Sequence, residues 1–242
     1  MLSKNQIKLI KSLAQKKFRA QHGLFTVEGV KGITEFLNSS FSLKHLYTTE
    51  NVFQTSDRHI TIISELDLKR ITKLKNPNKA VALFKIKEPY SIDLSKLILV
   101  LDDVRDPGNL GTIIRLCDWF GVKDLVCSST TVDCYNPKVI QATMGSLTRV
   151  NINYQNLESF LSTYDSTIFG TCMDGENIYS SSLPENGVLI MGNEANGISL
   201  QVQRLITEKL AIPRFGFAKE TESLNVATAT AICLSEFKRR SI

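Results

Sequence analysis

Three loops of the sequence combine glycines with polar side chains that can bind ligands and position reacting groups. The first, DDVRDPGNLGTIIR at 102–115, follows the apolar run LILVL and carries Asn109 and Arg115. The second, MGNEANGIS at 191–199, places Glu194 between two glycines directly after GVLI. The third, AIPRFGFAKETESLNVATATA at 211–231, ends one apolar run and opens the last helix-like run. A carboxylate and amides can orient a polar substrate, and a permanent cation can stabilise a developing negative charge.

The glycine spacing in these loops excludes the commonest nucleotide-binding signatures. Neither GxxxxGK[ST] nor GxGxxG occurs, so neither a phosphate-binding loop nor a dinucleotide turn is predicted. A nicotinamide-dependent oxidoreductase is the main alternative enzyme class, and it would need the missing dinucleotide fingerprint. The five cysteines form no CxxC pair and no histidine follows His59, so no metal site is expected. Cysteines without such a pattern are typical of a cytoplasmic protein that keeps them reduced.

Each loop also has a purely structural interpretation. Asn109 could cap a helix that begins near Leu110, because its side chain can accept a hydrogen bond from an amide of the first turn. Arg115 would then point away from the buried stripe of that helix. Ser223 is a natural N-cap for the terminal helix. The chemistry of the loops therefore depends on whether the fold brings them together.

Short apolar runs alternate with amphipathic runs along the chain. Beyond residue 96, strand-like runs occur at 97–101, 124–128, 149–153, 166–172, 187–191 and 209–213. Helix-like runs occur at 110–120, 136–146, 156–164, 199–207 and 223–240. This alternation predicts an α/β fold with a mostly parallel sheet covered on both faces. Ligands of such sheets bind beyond the carboxyl ends of the strands, which is where the three loops begin.

Charge divides the chain at KIKEPYSIDLSK, residues 85–96, which is the predicted linker. Residues 1–92 carry a net charge of +9 and residues 93–242 a net charge of −4. The basic part also alternates helix-like and strand-like runs, so we predict a small α/β domain at 1–90 and a second domain at 91–242. The clusters of Lys and Arg at 1–19 and 69–87 predict contact with a polyanion, although a solvated surface would carry the same charge.

The first twenty residues are basic and amphipathic, which predicts a helix of the mature protein. A mitochondrial presequence is the alternative interpretation, but such segments are more often rich in Arg and Ser. No apolar run approaches the roughly 20 residues that span a bilayer, so no membrane segment is expected.

Taken in order, the three loops resemble the SpoU/TrmH-like family of RNA ribose 2′-O-methyltransferases, which belong to the knotted SPOUT class. The D-P-x-N-x-G-x-x-x-R motif of that family is matched by Asp106, Pro107, Asn109, Gly111 and Arg115. Its G-x-E-x-x-G motif is matched by Gly192, Glu194 and Gly197, and its I-P and S-L-N-V-A motif by Ile212, Pro213 and Ser223 to Ala227. KVIQATMGSLTRVNI, 138–152, looks like the connecting segment of the family, and FTVEGVKGITEFL looks like its N-terminal RNA-binding domain.

The resemblance implies a C-terminal domain with a deep trefoil knot that binds S-adenosylmethionine. From folding rules alone a knot would be rejected, because true knots are nearly absent from proteins. Carried over by motif, the cofactor contacts fall on residues of the second and third loops: Met191, Gly192, Ile212, Pro213 and Leu224. One departure is that the segment 214–222 is longer than in compact members of the family.

The same resemblance implies that the first loop faces the substrate. Arg115 matches the proposed catalytic centre of the family, and as a permanent cation it can bind a phosphate and favour an alkoxide. Asn109, Glu194, Ser223 and Asn225 are expected to position the ribose or Arg115. The identity of the general base stays open, because the second domain contains no histidine.

The resemblance also gives the basic domain an RNA partner, with ribosomal RNA favoured over transfer RNA. The expected phosphate contacts are Lys16, Lys17, Arg19, Lys73 and Lys75. Members of the family are homodimers built with the terminal helix, where Cys233, Leu234 and Phe237 are candidates for the interface, although buried positions within one chain would suit them equally. The alternatives to a ribosomal RNA enzyme are a tRNA 2′-O-methyltransferase and a non-catalytic RNA-binding member of the family.

Overall fold

The computed structural model describes residues 2–53, 55, 59–216 and 223–239, and its chain divides into two units. The first comprises Met1–Glu88 together with Asp133–Thr148, and the second comprises Pro89–Val132 and Arg149–Ile242. The predicted boundary near residue 90 lies at the start of the second unit. The segment Asp133–Thr148, which the prediction assigned to the C-terminal domain, clusters with the N-terminal unit instead. The division into domains 1–90 and 91–242 therefore stays a proposal.

The first unit contains a mixed four-stranded sheet. Its strands are β1 (Leu24–Glu28), β2 (Leu43–Thr48), β3 (Ile60–Ile62) and β4 (Ala80–Lys85), in the order β1-β4-β2-β3. β4 is antiparallel to both β1 and β2, whereas β2 and β3 are parallel. The helices of its N-terminal part are α1 (Lys4–Ser12), α2 (Lys16–His22), α3 (Val30–Leu37) and α4 (Glu65–Ile71).

The basic N-terminus forms two helices rather than one. α1 begins with a capping box, in which the Ser3 hydroxyl accepts from the Gln6 amide and the Gln6 side chain accepts from the Ser3 amide. Ile10 and Leu13 are buried on its inner side, and they pack in a core with Leu68 and Val81. Helix α2 ends at Gly23, whose left-handed φ of 61° terminates the helix before β1.

The second unit is built on a six-stranded sheet in which all neighbouring strands are parallel. Its strands are β5 (Leu97–Leu101), β6 (Asp124–Cys127), β7 (Asn151–Tyr154), β8 (Ile168–Asn177), β9 (Gly187–Met191) and β10 (Glu208–Ala211). Their order is β10-β8-β9-β5-β6-β7. The helices are α5 (Pro107–Phe120), α7 (Leu157–Ser162), α8 (Leu200–Gln203) and α9 (Val226–Arg239), and α6 (Pro137–Thr143) belongs to the first unit. The predicted α/β fold with a mostly parallel sheet is confirmed.

The central strands β5 and β9 are buried at every position, as expected for apolar strands covered on both faces. On one side of β5 the sheet continues with β6 and then β7. The chain then returns to the other side of β5, where β9, β8 and β10 lie. Such a reversal opens a crevice at the carboxyl ends of the strands. The first and second loops of the sequence leave the sheet at this point.

Helices α5 and α9 pack against each other. Cys233, Leu234 and Phe237 of α9 are buried within the chain, and the Phe237 ring contacts that of Phe169 edge to face at 5.3 Å. The structure therefore favours the buried interpretation of these three residues over a dimer face. None of the helices that the structure describes combines the length and the apolar character needed to span a bilayer.

Candidate active site

A cavity of about 640 Å³ opens in the second unit beside the ends of β8, β9 and β10. All five residues predicted to hold the cofactor line it: Met191, Gly192, Ile212, Pro213 and Leu224. The predicted site residues Glu194 and Ser223 line it as well. The volume lies in the range typical of small-molecule and cofactor sites. The fold thus brings the second and third loops together, as the resemblance implied.

Gly192 is required by the shape of the loop that follows β9. A Cβ atom at this position would lie 2.4 Å from the carbonyl carbon of Gly197. The two sides of the loop are joined by a pair of backbone hydrogen bonds between Asn193 and Gly197, at 2.9 and 2.8 Å. Gly197 itself has a left-handed φ of 66°. The two glycines therefore let the main chain fold back on itself along the cavity wall.

Three of the predicted catalytic residues form one hydrogen-bonded series, here called the amide–carboxylate chain. The Asn225 side chain donates from Nδ2 to Oδ1 of Asn109 at 2.9 Å. Asn109 in turn donates from Nδ2 to Oε1 of Glu194 at 2.5 Å. Asn225 precedes α9, Asn109 lies in the first turn of α5, and Glu194 follows β9. The amide–carboxylate chain therefore joins all three loops.

The predicted role of Asn109 as a helix cap is wrong. Helix α5 begins at Pro107, and its N-cap is Asp106, whose carboxylate accepts from the Asn109 amide at 2.8 Å. Proline is well tolerated at the first helical position, which explains the earlier start. The Asn109 side chain is therefore free of capping and bridges Glu194 and Asn225.

The predicted N-cap of the terminal helix is also wrong. Helix α9 begins at Val226, and Oδ1 of Asn225 accepts from the amides of Ala227 and Thr228 at 2.9 and 3.2 Å. Asn225 thus caps α9 with its oxygen and holds Asn109 with its nitrogen. Ser223 is exposed and lines the cavity.

Arg115 occupies a different position from the other site residues. It is exposed on α5, facing away from the buried stripe that includes Ile114 and Cys117, as predicted. It is not among the residues lining the cavity, and no hydrogen bond or ion pair joins it to another described residue. Its guanidinium is thus available to an anionic ligand.

One wall of the cavity was missed by the sequence analysis. Gly170 of β8 pairs with Lys209 of β10, but the next residue of β10, Leu210, pairs with Glu176. The five residues between them bulge out, and three of them line the cavity: Thr171, Cys172 and Met173. The rule that ligands bind beyond the carboxyl ends of strands could have indicated them, because the predicted strand at 166–172 ends here.

An ion pair and a close approach of the Gly175 backbone to Leu210 hold this bulge against β10. The Lys209 ammonium lies 2.8 Å from the Asp174 carboxylate, and this exposed pair holds the pKa of Asp174 below its ordinary value. A Cβ atom at Gly175 would lie 2.6 Å from the carbonyl carbon of Leu210. The Cys172 thiol beside them is half-buried, and burial raises its pKa, with a further rise from Asp174.

The predicted RNA contacts lie in the first unit, and they do not share one environment. Lys16, Lys17, Lys73 and Lys75 are exposed. Arg19 is only 2% exposed, and its guanidinium donates to the carbonyls of Leu13 and Ala14 and to the Asp133 carboxylate. We therefore assign Arg19 a structural role rather than a phosphate contact. Among the described residues there is no cluster of side chains that could hold a metal ion.

The fold and the cavity together define an α/β domain of the class that binds a small molecule at the carboxyl ends of its strands. The family model of SpoU rRNA methylases matches residues 96–235, and that of the MRM3-like substrate binding domain matches residues 4–82. The chain belongs to the SpoU rRNA methylase family.

Individual relatives extend over nearly the whole chain. The 23S rRNA (guanosine(2553)-2′-O)-methyltransferase RlmP of Bacillus subtilis is 30% identical over 240 residues, which are 95% of each protein. A solved structure assigned to the TrmH family of RNA methyltransferases, from Porphyromonas gingivalis, is 37% identical with a TM-score of 0.92, over 99% of both chains. The AdoMet-bound rRNA methyltransferase from Sinorhizobium meliloti is 29% identical with a TM-score of 0.89, over 100% of this chain and 98% of that one.

Proposed function

We propose that this protein uses S-adenosylmethionine to methylate a ribose 2′-hydroxyl of RNA, with ribosomal RNA as its substrate. The observation that carries the proposal is the convergence of the second and third loops on one cavity, with the first loop joined to both through Asn109. Eight residues of the family motifs line that cavity, and the amide–carboxylate chain joins its rim to α5. The relatives named above supply the reaction class, because one is a 2′-O-methyltransferase and another is an AdoMet-bound rRNA methyltransferase.

The cavity suits this cofactor in both size and lining. Gly192, Ile212 and Leu224 are proposed to bind the polar parts of the cofactor through their backbone groups, and apolar residues such as Ile178 and Val226 also line the cavity. When bound, S-adenosylmethionine supplies an electrophilic methyl group on a sulfonium. Glu194 and Ser223 line the same cavity and are proposed to orient the ribose beside that methyl group. In-line transfer needs the hydroxyl held about 3–3.5 Å from the methyl carbon.

Arg115 is proposed to stabilise the ribose oxygen as it becomes an alkoxide and to bind the neighbouring phosphate. A guanidinium is suited to both roles because it stays charged and donates in a planar fork. The amide–carboxylate chain is proposed to fix the first turn of α5, and with it the start of the helix that carries Arg115.

The N-terminal domain, residues 1–90, is proposed to bind RNA, and residues 91–242 are proposed to carry the reaction. Four exposed lysines support this role, two on α2 and two between α4 and β4. Lysines contact phosphates without reading sequence, so they would hold RNA while other groups select the nucleotide.

We further propose a cytoplasmic homodimer with a trefoil knot in the C-terminal domain. The prediction of a longer loop at 214–222 falls largely on residues 217–222, which lie outside the described residues. Trp119, which is 85% exposed and four residues after Arg115 on α5, is a candidate for the dimer contact. Light scattering should report a dimer for the wild type and a monomer for Trp119→Glu. A monomeric wild type would contradict the dimer.

The proposed function is tested by label transfer. Purified protein is incubated with S-adenosylmethionine labelled in its methyl group and with undermethylated 23S rRNA, 16S rRNA or bulk tRNA. Resistance of one phosphodiester bond to alkaline hydrolysis identifies a 2′-O-methyl product. Label in rRNA supports the proposal, and label in tRNA alone supports the tRNA enzyme. RNA binding without transfer to any RNA supports the non-catalytic alternative.

A further inference from the structure

The two aspartates that follow β5, Asp102 and Asp103, are not used by the proposed reaction, yet both contact the loop that carries Glu194. Asp102 is only 6% exposed, and its Oδ2 accepts from the Ser199 amide at 2.8 Å. Its own amide donates to the Met191 carbonyl at 2.9 Å. Asp102 therefore fixes both the start and the end of the segment between β9 and α8.

Asp103 has a backbone conformation that is unusual for a residue with a side chain. Its φ is 61°, in the left-handed region that favours glycine. Its amide donates to the Ser128 hydroxyl at 2.9 Å, and its carboxylate accepts from Arg105 Nε at 2.9 Å. Burial alone would raise the pKa of Asp103, but hydrogen bonds from Arg105 and Thr130 hold it below its ordinary value. These contacts fix the direction of the Asp103 carbonyl.

Asn193 joins this carbonyl to the Glu194 loop. It donates from Nδ2 to the Asp103 carbonyl at 2.8 Å. Its Oδ1 accepts from the amides of Ala195 and Asn196 at 2.9 and 3.1 Å. One side chain therefore both shapes the turn around Glu194 and attaches it to the end of β5.

We propose that Asn193 is a positioning residue, whose side-chain Nδ2 anchors the Glu194 loop to the Asp103 carbonyl, just after β5, so that Glu194 accepts from Asn109. The inference rests on the proposed function, since it assigns the consequence of this contact to methyl transfer. Without the anchor, the segment that carries Glu194 is held by Asp102 only at its two ends, Met191 and Ser199, and by its own turn. A displacement of about 1 Å at such a site can lower a rate by roughly 100-fold.

The test is Asn193→Asp, because aspartate keeps the acceptor for Ala195 and Asn196 but replaces the donor to Asp103 with an oxygen and adds a negative charge. The matched control is Asn196→Asp, which adds the same charge to an exposed residue of the same loop that does not line the cavity. We expect N193D to lower kcat on the order of 10- to 100-fold with little change in the KM for either substrate. N196D should behave as the wild type.

A second readout follows the hydrogen bond itself and does not depend on activity. The readout is the chemical shift of the Asn109 side-chain amide in nitrogen-15 spectra. Glu194→Ala removes the acceptor of this amide and gives the reference shift. We expect N193D to shift the signal in the same direction and N196D to leave it unchanged. An unchanged Asn109 signal, an unchanged kcat, or an equal loss of kcat in N196D would each overturn the inference. Failure of the wild type to methylate any RNA would instead overturn the proposed function, and the Asn109 signal would still decide whether Asn193 holds Glu194 in place.

Discussion

Arg115 and the residues of the cavity are held by different elements, so their roles can be separated by substitution. Arg115 is exposed on α5 and is not part of the cavity lining. Arg115→Ala should lower methyl transfer by about 100- to 1,000-fold, the typical cost of removing a group that stabilises transition-state charge. Affinity for S-adenosylmethionine, measured by calorimetry, should stay at the wild-type value. Loss of cofactor binding in this variant would place Arg115 in the cofactor site instead.

Cys172 provides a chemical probe of the cofactor position. It is half-buried on the cavity wall, and its pKa is raised first by burial and then by Asp174. The thiolate is the reactive form, so alkylation by iodoacetamide should be slow at neutral pH and accelerate as the pH rises through the raised pKa. S-adenosylmethionine should protect Cys172, as measured by mass spectrometry.

The other cysteines allow the labelling to be interpreted. Burial raises the pKa of Cys233 to about 12, and it also raises that of Cys117. Both should stay unlabelled in the folded protein, and Cys172→Ser should remove the labelling. Equal labelling of Cys172 with and without the cofactor would place the cofactor elsewhere.

At the scale of elements, the loop after β9 has a shape that only glycine permits at its first position. In Gly192→Ala the new methyl group would meet backbone atoms of Gly197, which cannot move aside as a side chain can. We expect a loss of about 1–3 kcal/mol in the free energy of unfolding, as for other overpacked sites, together with loss of cofactor binding. Urea denaturation and calorimetry measure the two effects.

Gly32→Ala is the control for this substitution. A Cβ atom at Gly32 of α3 would lie at an ordinary 3.5 Å from Val27, and alanine is the better helix former. It should leave cofactor binding unchanged. Normal cofactor affinity in Gly192→Ala would show that the loop does not shape the site.

The sequence predicts elements well where burial and element type agree. LILVL and GVLIM form β5 and β9 with the predicted bounds, because continuous apolar runs of this length are typical of buried parallel strands. Helix ends were less predictable. Several residues near each end can serve as caps. Asp106 caps α5 and Asn225 caps α9, while the Asn109 side chain instead bonds to Glu194, 85 residues away in the chain.

Two features had no local signal at all. The five-residue bulge of β8 is defined by its pairing with β10, more than thirty residues away in the chain. The burial of Arg19 depends on Asp133, which is 114 residues distant. The five predicted cofactor residues nevertheless line the cavity, because the family resemblance specified positions in the loops that periodicity does not.

At the scale of the whole molecule, the first unit is assembled from two distant parts of the chain. Arg19 of α2 and Asp133 form an ion pair whose side chains are 3% and 15% exposed. The Tyr135 ring lies 4.6 Å from that of Phe25, and burial raises the pKa of Tyr135. The segment Asp133–Thr148 is therefore held in this unit by both polar and aromatic contacts.

Arg19→Ala should destabilise the protein rather than weaken RNA binding directly. Removing one partner of a buried pair leaves the other charge uncompensated, which typically costs about 3–5 kcal/mol. Chemical denaturation should show this loss, whereas Lys17→Ala, an exposed position on the same helix, should show almost none. Equal stability of the two variants would mean that the Arg19–Asp133 pair contributes little to the fold.

RNA binding by the first unit is best tested through its salt dependence. Deleting residues 1–90 would expose the aromatic and apolar side chains of Asp133–Thr148, so paired Lys→Gln substitutions are preferable. Each lysine–phosphate interaction that a substitution removes should reduce the slope of log affinity against log salt concentration by about 0.7–0.9. Lys16→Gln/Lys17→Gln and Lys73→Gln/Lys75→Gln should each flatten this slope without changing cofactor affinity.

The matched control neutralises two exposed lysines of the second unit, Lys96 and Lys123. It removes the same net charge, so a general electrostatic effect of the molecule would appear in all three double variants. Filter binding across a salt series measures the slopes. If the control flattens the slope as much as the other two, attraction by the overall positive charge explains the binding, and the basic N-terminal unit is not the site that holds RNA.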